Sequence, residues 1–313
     1  MSTLLITHPA CRNHATLPGH PEAPARLDAA LAALDGPGFS DLIRAEAPEV
    51  ADADLLRCHP RDWIDRLAGL MPAQGSVALD PDTHASPGTW AAARRAAGAA
   101  CAAVDAVIGG QAGNAFVLAR PPGHHAERAR TMGFCLFGNV AIAAKRALDH
   151  HGLDRVAVVD FDVHHGNGTQ DLLWDEGRVR FVSSHQSPLW PGTGDVSEIG
   201  AHGQITNIPL PPGSDGRAMW AAYEAQVFPM LEAFAPELLL ISAGFDAHIA
   251  DPLANLNWRT DDFRRLTDRL CGIAARCAGG RVVSVLEGGY DLDALADCVA
   301  AHVTVLKEHS RHG

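Results

Sequence analysis

Six short apolar runs recur along this chain, each followed by a longer stretch with helical spacing, and that alternation restricts the fold more than any other feature. The runs are Leu4–Ile6, Ala115–Leu118, Val156–Val159, Val179–Val182, Leu238–Ile241 and Val282–Leu286. Several lack polar alternation, which suits strands covered on both faces. Helical stretches read as Pro24–Leu34, Pro87–Ile108, Asn139–His150, Gly216–Phe234, Thr260–Cys277 and Leu292–Lys307. Pro87, one residue after Ser86, reads as a capped helix start, and Thr260 followed by Asp262 as another. The order predicts an α/β fold with one mostly parallel sheet and helices on both faces. No repeat, linker or change in composition divides the chain, so residues 1–313 are expected to form a single domain.

The segments immediately after these strands carry the functional signal. After Ala115–Leu118 comes RPPGHHA, with His124 and His125. After Val156–Val159 comes DFDVHHGNGTQ, and after Val179–Val182 comes SSHQSPLWPGTG. SAGFDAHIADPL and EGGYDL come after the last two runs. In open α/β sheets, sites are built at the carboxyl ends of strands, and here five strands deliver polar groups to that edge.

Composition excludes other classes. Lys+Arg is 25 and Asp+Glu is 37, a net charge of −12 that disfavours nucleic acid or an anionic membrane as partner. The 7 cysteines show no C-x-x-C pair, so they read as reduced thiols of a cytoplasmic protein. The start lacks the pattern of a signal peptide, and no apolar stretch is long enough for a membrane span. The 17 histidines against 2 tyrosines raise the question of where they sit. His8, His14, His59, His84, His150, His151, His202, His302, His309 and His312 read as surface or packing residues.

Asp160, Asp162 and His164 alternate, which at a strand end puts them on one face. Two carboxylates and an imidazole suit a divalent cation, and three protein ligands leave a position open for chemistry. Asp162 and His164 are the expected ligands, with Asp160 one step deeper and Asp246 as the third. Ligand type leaves zinc and iron(II) both open. His124 and His125 follow the stiff Pro121-Pro122-Gly123, and Asp160 and Asn167 are available to orient one each. A carboxylate partner would raise an imidazole's basicity and an amide would not, so one histidine would stay charged while the other acts as base. Tyr290, after Gly288-Gly289, would aim a phenol at a developing oxyanion. Phe134 and Trp190 would wall a narrow substrate arm.

RPPGHHA, GFC, DFDVHHGNGTQ, PGTG, GFDAHIADPL and LEGGYDL together resemble, in order and spacing, the zinc-dependent histone deacetylase family. That family includes acetylpolyamine amidohydrolases and acetoin-utilisation proteins. Asn167 and LEGGYDL make the chain similar to its class II branch. The resemblance implies a single open domain with an eight-stranded sheet, the arginase/deacetylase fold. It implies one zinc ion per chain on Asp162, His164 and Asp246, and structural potassium near Asp160, Asp162, His164, Ser183 and Ser184. By the same match His125 is the general base and acid, His124 its electrostatic partner bonded to Asp160, and Tyr290 the transition-state donor. Gly133, Phe134 and Trp190 match the acyl-lysine tunnel, where Trp190 departs from the commoner Phe. Leu253 stands where the polyamine branch tends to carry a glutamate, which weakens that substrate reading. The implied reaction is hydrolysis of acetylated lysine or small acetylated amines to acetate and a free amine. A two-manganese ureohydrolase on the same fold, or a non-catalytic acyl-amine binder, are the alternatives. Oligomeric state is not readable.

Overall fold

In the computed structural model, which describes residues 2–310, the alternating elements close into an eight-stranded sheet in which every pairing is parallel. His312 lies outside the described residues. In chain order the strands are β1 Thr3–Thr7, β2 Ile43–Glu46, β3 Val77–Ala78, β4 His84–Ala85 and β5 Asn114–Val117, then β6 Val156–Asp160, β7 Val179–Gln186, β8 Ile205–Leu210, β9 Leu238–Ala243 and β10 Val282–Leu286. The large sheet runs β2-β1-β5-β10-β9-β6-β7-β8, while β3 and β4 form a separate antiparallel pair. Central strands β6, β9 and β10 are buried along their whole length. Helices Thr89–Ile108 and Asn139–Asp149 pack together against one part of this core; Pro24–Leu34, Leu292–Ser310 and Thr260–Cys277 form a second packed set.

The apolar runs located the six inner strands. The two strands without a clean run, β2 and β8, are the sheet edges. Every residue of β2 is exposed. In β8, Pro209 lies opposite His185, a place where an edge strand tolerates a residue with no N–H to donate.

Four helical stretches differ from expectation, and the last of them, expected to end at Lys307, runs on to Ser310. The helix expected at Pro87 begins at Thr89, because Ser86 is used elsewhere. Its hydroxyl accepts from the Ala15 N–H at 2.9 Å, and the Thr89 N–H closes a turn onto the Ser86 carbonyl at 3.0 Å. The helix expected at Asn139–His150 ends at Asp149, with His150 as its cap. The stretch Gly216–Phe234 carries a π-helical turn at Tyr223–Val227, where the Phe228 N–H reaches back to the Tyr223 carbonyl. That wider turn relieves the clash Pro229 would otherwise make with the carbonyl four residues earlier. It also sets the Tyr223 hydroxyl 2.8 Å from Ser184 Oγ on β7.

All seven cysteines are free, and all but Cys277 are buried. Among the described residues, no helix is long and apolar enough to cross a membrane. His14, His59 and His302 are buried packing residues.

Candidate active site and metal centre

Four adjacent central strands, β5, β10, β9 and β6, release their loops at one sheet edge and bring the polar motifs together. β6 ends at Asp160, so strand pleating does not carry the alternation through to His164. Two successive turns do so instead. The Asp162 N–H donates to Asp160 Oδ1 at 3.1 Å, and the His164 N–H donates to Asp162 Oδ1 at 2.9 Å. Asp246, after β9, joins them by accepting the Val163 N–H at 2.9 Å. His164 Nδ1 then lies 3.2 Å from Asp162 Oδ1 and 3.2 Å from Asp246 Oδ2. Ligands held at about 2.0–2.2 Å from a tetrahedral zinc sit roughly 3.2–3.6 Å apart, so the spacing fits one such ion.

The three groups are electrostatically linked. Burial disfavours charge on His164, but its bonds to Asp162 and Asp246 outweigh that and raise it to about 10. Burial and the neighbouring Asp162 raise the Asp246 carboxyl. Asp162, although buried, is held well below the usual carboxylate range by His124, His164 and His125. A buried set with two acids on one imidazole is the chemistry that a cation would complete. The cradle also needs Gly288, whose N–H donates to Asp162 Oδ2 at 2.8 Å. A Cβ there would stand 2.1 Å from Asp246 Oδ2 and 2.6 Å from Asp162 Oδ2.

Asp160 and Asn167 divide the histidine pair as the chemistry requires. His124 Nδ1 bonds Asp160 Oδ2 at 3.0 Å, and His125 Nδ1 bonds Asn167 Oδ1 at 2.7 Å. The two rings are 3.9 Å apart between centroids. Burial opposes charge on His124, but Asp162 and Asp160 overcome it and raise that imidazole well above its ordinary value. Burial pushes His125 well below its ordinary value, helped by the positive charges of His124 and His164. His124 is therefore the charged partner and His125 the neutral one. Asp160, buried beside them, is raised to about 6.

The arm that leads to this floor is a cavity of about 190 Å³ reached past Asp82, Phe134, Trp190 and Leu253. Gly133 and Phe134 both take left-handed backbone angles, φ 56° and 68°. A Cβ on Gly133 would meet His125 Cδ2 at 2.3 Å and Trp190 Cη2 at 2.7 Å, so glycine lets these two rings approach the loop. Trp190 stands edge-on to His125 at 4.7 Å between centroids. Its loop is pinned from below by two histidines that the motifs leave without a role. His165 Nδ1 bonds Thr193 Oγ1 at 2.7 Å, and His185 Nε2 bonds the Gly194 carbonyl at 3.1 Å. His20 packs edge-on against Phe134 at 4.8 Å between centroids.

Tyr290 also lines the cavity, and burial raises its phenol well above the ordinary value despite the Arg26 cation 4.9 Å from the ring centre. The phenol is thus a proton donor at neutral pH. Its loop is held by residues that local sequence patterns do not single out. Arg26 donates to the carbonyls of Gly289 at 2.6 Å and Glu287 at 2.5 Å. Glu22 accepts from Arg26 at 3.2 Å and from Arg120 Nη2 at 2.7 Å, all three fully buried. Glu287 accepts the N–H groups of Gly123 and His124 at 2.7 and 3.1 Å, and burial raises it to about 7. Arg120 and Glu287 stand inside RPPGHHA and LEGGYDL, Glu22 and Arg26 lie four residues apart near the start of the chain, and a charged residue amid apolar neighbours was the available signal.

Among the described residues, one other group, Asp105, His150 and His151, has metal-ligand spacing. It shares no residue with the first, and Arg146 occupies both Asp105 oxygens at 2.8 and 2.9 Å. The paired cluster of a two-metal ureohydrolase is not assembled there.

Residues 20–306 match the histone deacetylase domain. The chain is 42% identical over 277 residues to a histone deacetylase-like amidohydrolase of Pseudomonas aeruginosa, covering 87% of this chain and 73% of that one. It is 38% identical to the human polyamine deacetylase HDAC10, covering 91% of this chain and 44% of that one. The crystal structure of the HDA15 HD domain superposes with a TM-score of 0.91 at 32% identity, covering 98% of this chain and 88% of that one. With the family domain matched over most of its length and the fold shared, the chain belongs to the histone deacetylase family.

Proposed function

We propose that residues 1–313 form one catalytic domain, a zinc-dependent amidohydrolase that removes acetyl groups from acetyl-lysine-like amines. The observation that carries this reading is the meeting of Asp162, His164 and Asp246 with one carboxylate-bonded and one amide-bonded histidine at the floor of one narrow arm. Asp162, His164 and Asp246 would hold one zinc ion, which when bound polarises an amide carbonyl and lowers the pKa of water.

The remaining steps belong to the chain's own side chains. His125, neutral and with Nδ1 committed to Asn167, presents Nε2 as the base that takes a proton from water. It returns that proton to the departing amine nitrogen as the C–N bond breaks. His124 stays charged and stabilises the negative charge that develops beside it. Tyr290 donates a hydrogen bond to the same developing oxyanion. Phe134, Trp190 and Leu253 surround the aliphatic arm and keep bulk water from it. Products are acetate and a free amine.

The substrate class follows from the arm and its mouth. Leu253 offers no carboxylate to a cationic polyamine chain, which favours acetylated lysine over acetylpolyamine. The human relative's name, polyamine deacetylase, keeps small acetylated amines as the second reading. Free thiols throughout suit a reducing, cytoplasmic location. The test is acetate release from an acetyl-lysine peptide and from acetylspermidine, side by side. A ratio above one for the peptide supports the lysine reading, and the reverse ratio selects polyamines.

A further inference from the structure

We propose that Asp251 is a positioning residue which ties the substrate-arm wall at Leu253 to the phenol donor Tyr290. Asp251 follows β9 in the loop that carries Asp246, and it is 7% exposed. Both carboxylate oxygens are taken by main-chain donors of residues that line the arm. Oδ1 accepts the Leu253 N–H at 3.0 Å, and Oδ2 accepts the Tyr290 N–H at 2.7 Å. Among the described residues, no cation pairs with it. A buried carboxylate held only by backbone donors is costly to keep, and these donors belong to the two elements that shape the arm, with the Asp291 backbone beside Tyr290 as a further one.

The Tyr290 loop needs that hold. Gly289 precedes it with φ 119°, a conformation other residues rarely adopt. Arg26 secures this loop by its carbonyls, at Glu287 and Gly289. That leaves the Tyr290 N–H, and Asp251 takes it. The phenol is therefore located from two sides, and removing Asp251 frees one of them. The same removal releases Leu253, so the arm's width and the donor's position change together. A misplacement of about 1 Å in a positioned group costs roughly 10²-fold in rate.

The inference rests on the reading of Tyr290 as donor, and its test has one arm that does not need activity. The chain has 2 tyrosines, so 3-fluorotyrosine labelling gives two 19F resonances, and Tyr290→Phe assigns them. Asp251→Ala is expected to shift or broaden the Tyr290 resonance while Tyr223 stays in place. An unmoved Tyr290 resonance overturns the proposal, whether or not the protein hydrolyses amides. In the kinetic arm, Asp251→Ala lowers kcat on an acetyl-lysine amide by about 10–100-fold. In the Tyr290→Phe background the same change costs less than it does in the wild type, because the part of its effect that runs through the phenol is already lost. Costs that multiply in the double variant also overturn it. Should the alanine variant fail to fold, Asp251→Ser serves. Its short hydroxyl still caps the nearby Leu253 N–H but does not reach Tyr290, and the same two outcomes decide. If the wild-type protein releases no acetate, the functional reading fails while the 19F comparison still judges the positioning role.

Discussion

Asn167 turns its amide oxygen, not its nitrogen, to His125 Nδ1, because the nitrogen donates to Glu127 Oε1 at 2.8 Å and to Met132 Sδ at 3.3 Å. An acceptor facing Nδ1 requires that nitrogen to carry the proton, so Nε2 is left with its lone pair toward the floor of the arm. A third side chain thus fixes the tautomer of the base.

Asn167→Asp tests that arrangement. A carboxylate in the same place favours the charged imidazole and raises the pKa of His125. The base is then protonated up to a higher pH, so the acid limb of the kcat/KM profile moves to higher pH. A limb that stays in place or moves down contradicts the assignment of His125 as base.

Tyr290→Phe removes the phenol without changing the ring. One oxyanion donor is worth about 10²–10³ in kcat, and KM should change little. Steady-state kinetics on an acetyl-lysine amide measures both, and a wild-type kcat excludes the donor role.

Gly133→Ala places a methyl group where His125 and Trp190 already stand, at a backbone angle that alanine resists. Activity should fall by at least about tenfold through a displaced base. The melting temperature should also fall, since overpacking costs roughly 1–3 kcal/mol. A variant with normal activity and stability shows that the loop moves freely.

His302, which packs against Phe161 and Phe245 beneath the site, governs an acid-side stability change. The Thr267 hydroxyl donates to the Phe263 carbonyl, so it accepts from His302 Nδ1 at 2.7 Å, and Nε2 takes the Ser284 hydroxyl at 2.8 Å. Burial lowers this imidazole to about 3. Its unfolded value is near 6.5, so between the two the unfolded chain binds the extra proton. Stability from this group is complete above pH 6.5 and is lost as the pH falls toward 3, at no more than about 1.4 kcal/mol per pH unit. His302→Gln should flatten that slope in urea titrations at pH 7, 6 and 5, and an unaltered slope assigns it to other groups.

Sheet edges and buried charges are where the local sequence pattern stops predicting the fold. Inner strands such as β6 and β9 read as unbroken apolar runs because both faces are covered. β2, exposed throughout, and β8, interrupted by Asn207 and Pro209, have no such pattern because only one neighbour orders them. The metal and histidine motifs were legible because each follows a strand, so local order predicts direction. Glu22 and Arg26 lie four residues apart, but Arg120 is distant from both and meets them only in the fold, as Asp251 meets Tyr290. A charged residue amid apolar neighbours hints at burial, but no local spacing announces which distant residue will meet it.

The most direct test of a zinc-dependent deacetylase joins metal content to acetate release in one preparation. Wild-type protein reconstituted with zinc should bind one ion per chain and release acetate and free amine in equal amounts from an acetyl-lysine amide. A chelator should stop the reaction and added zinc restore it, while Asp162→Ala should retain neither zinc nor activity. Stoichiometric zinc on the Asp162→Ala variant, or a zinc-loaded wild type that releases no acetate from any acetylated amine, contradicts that function.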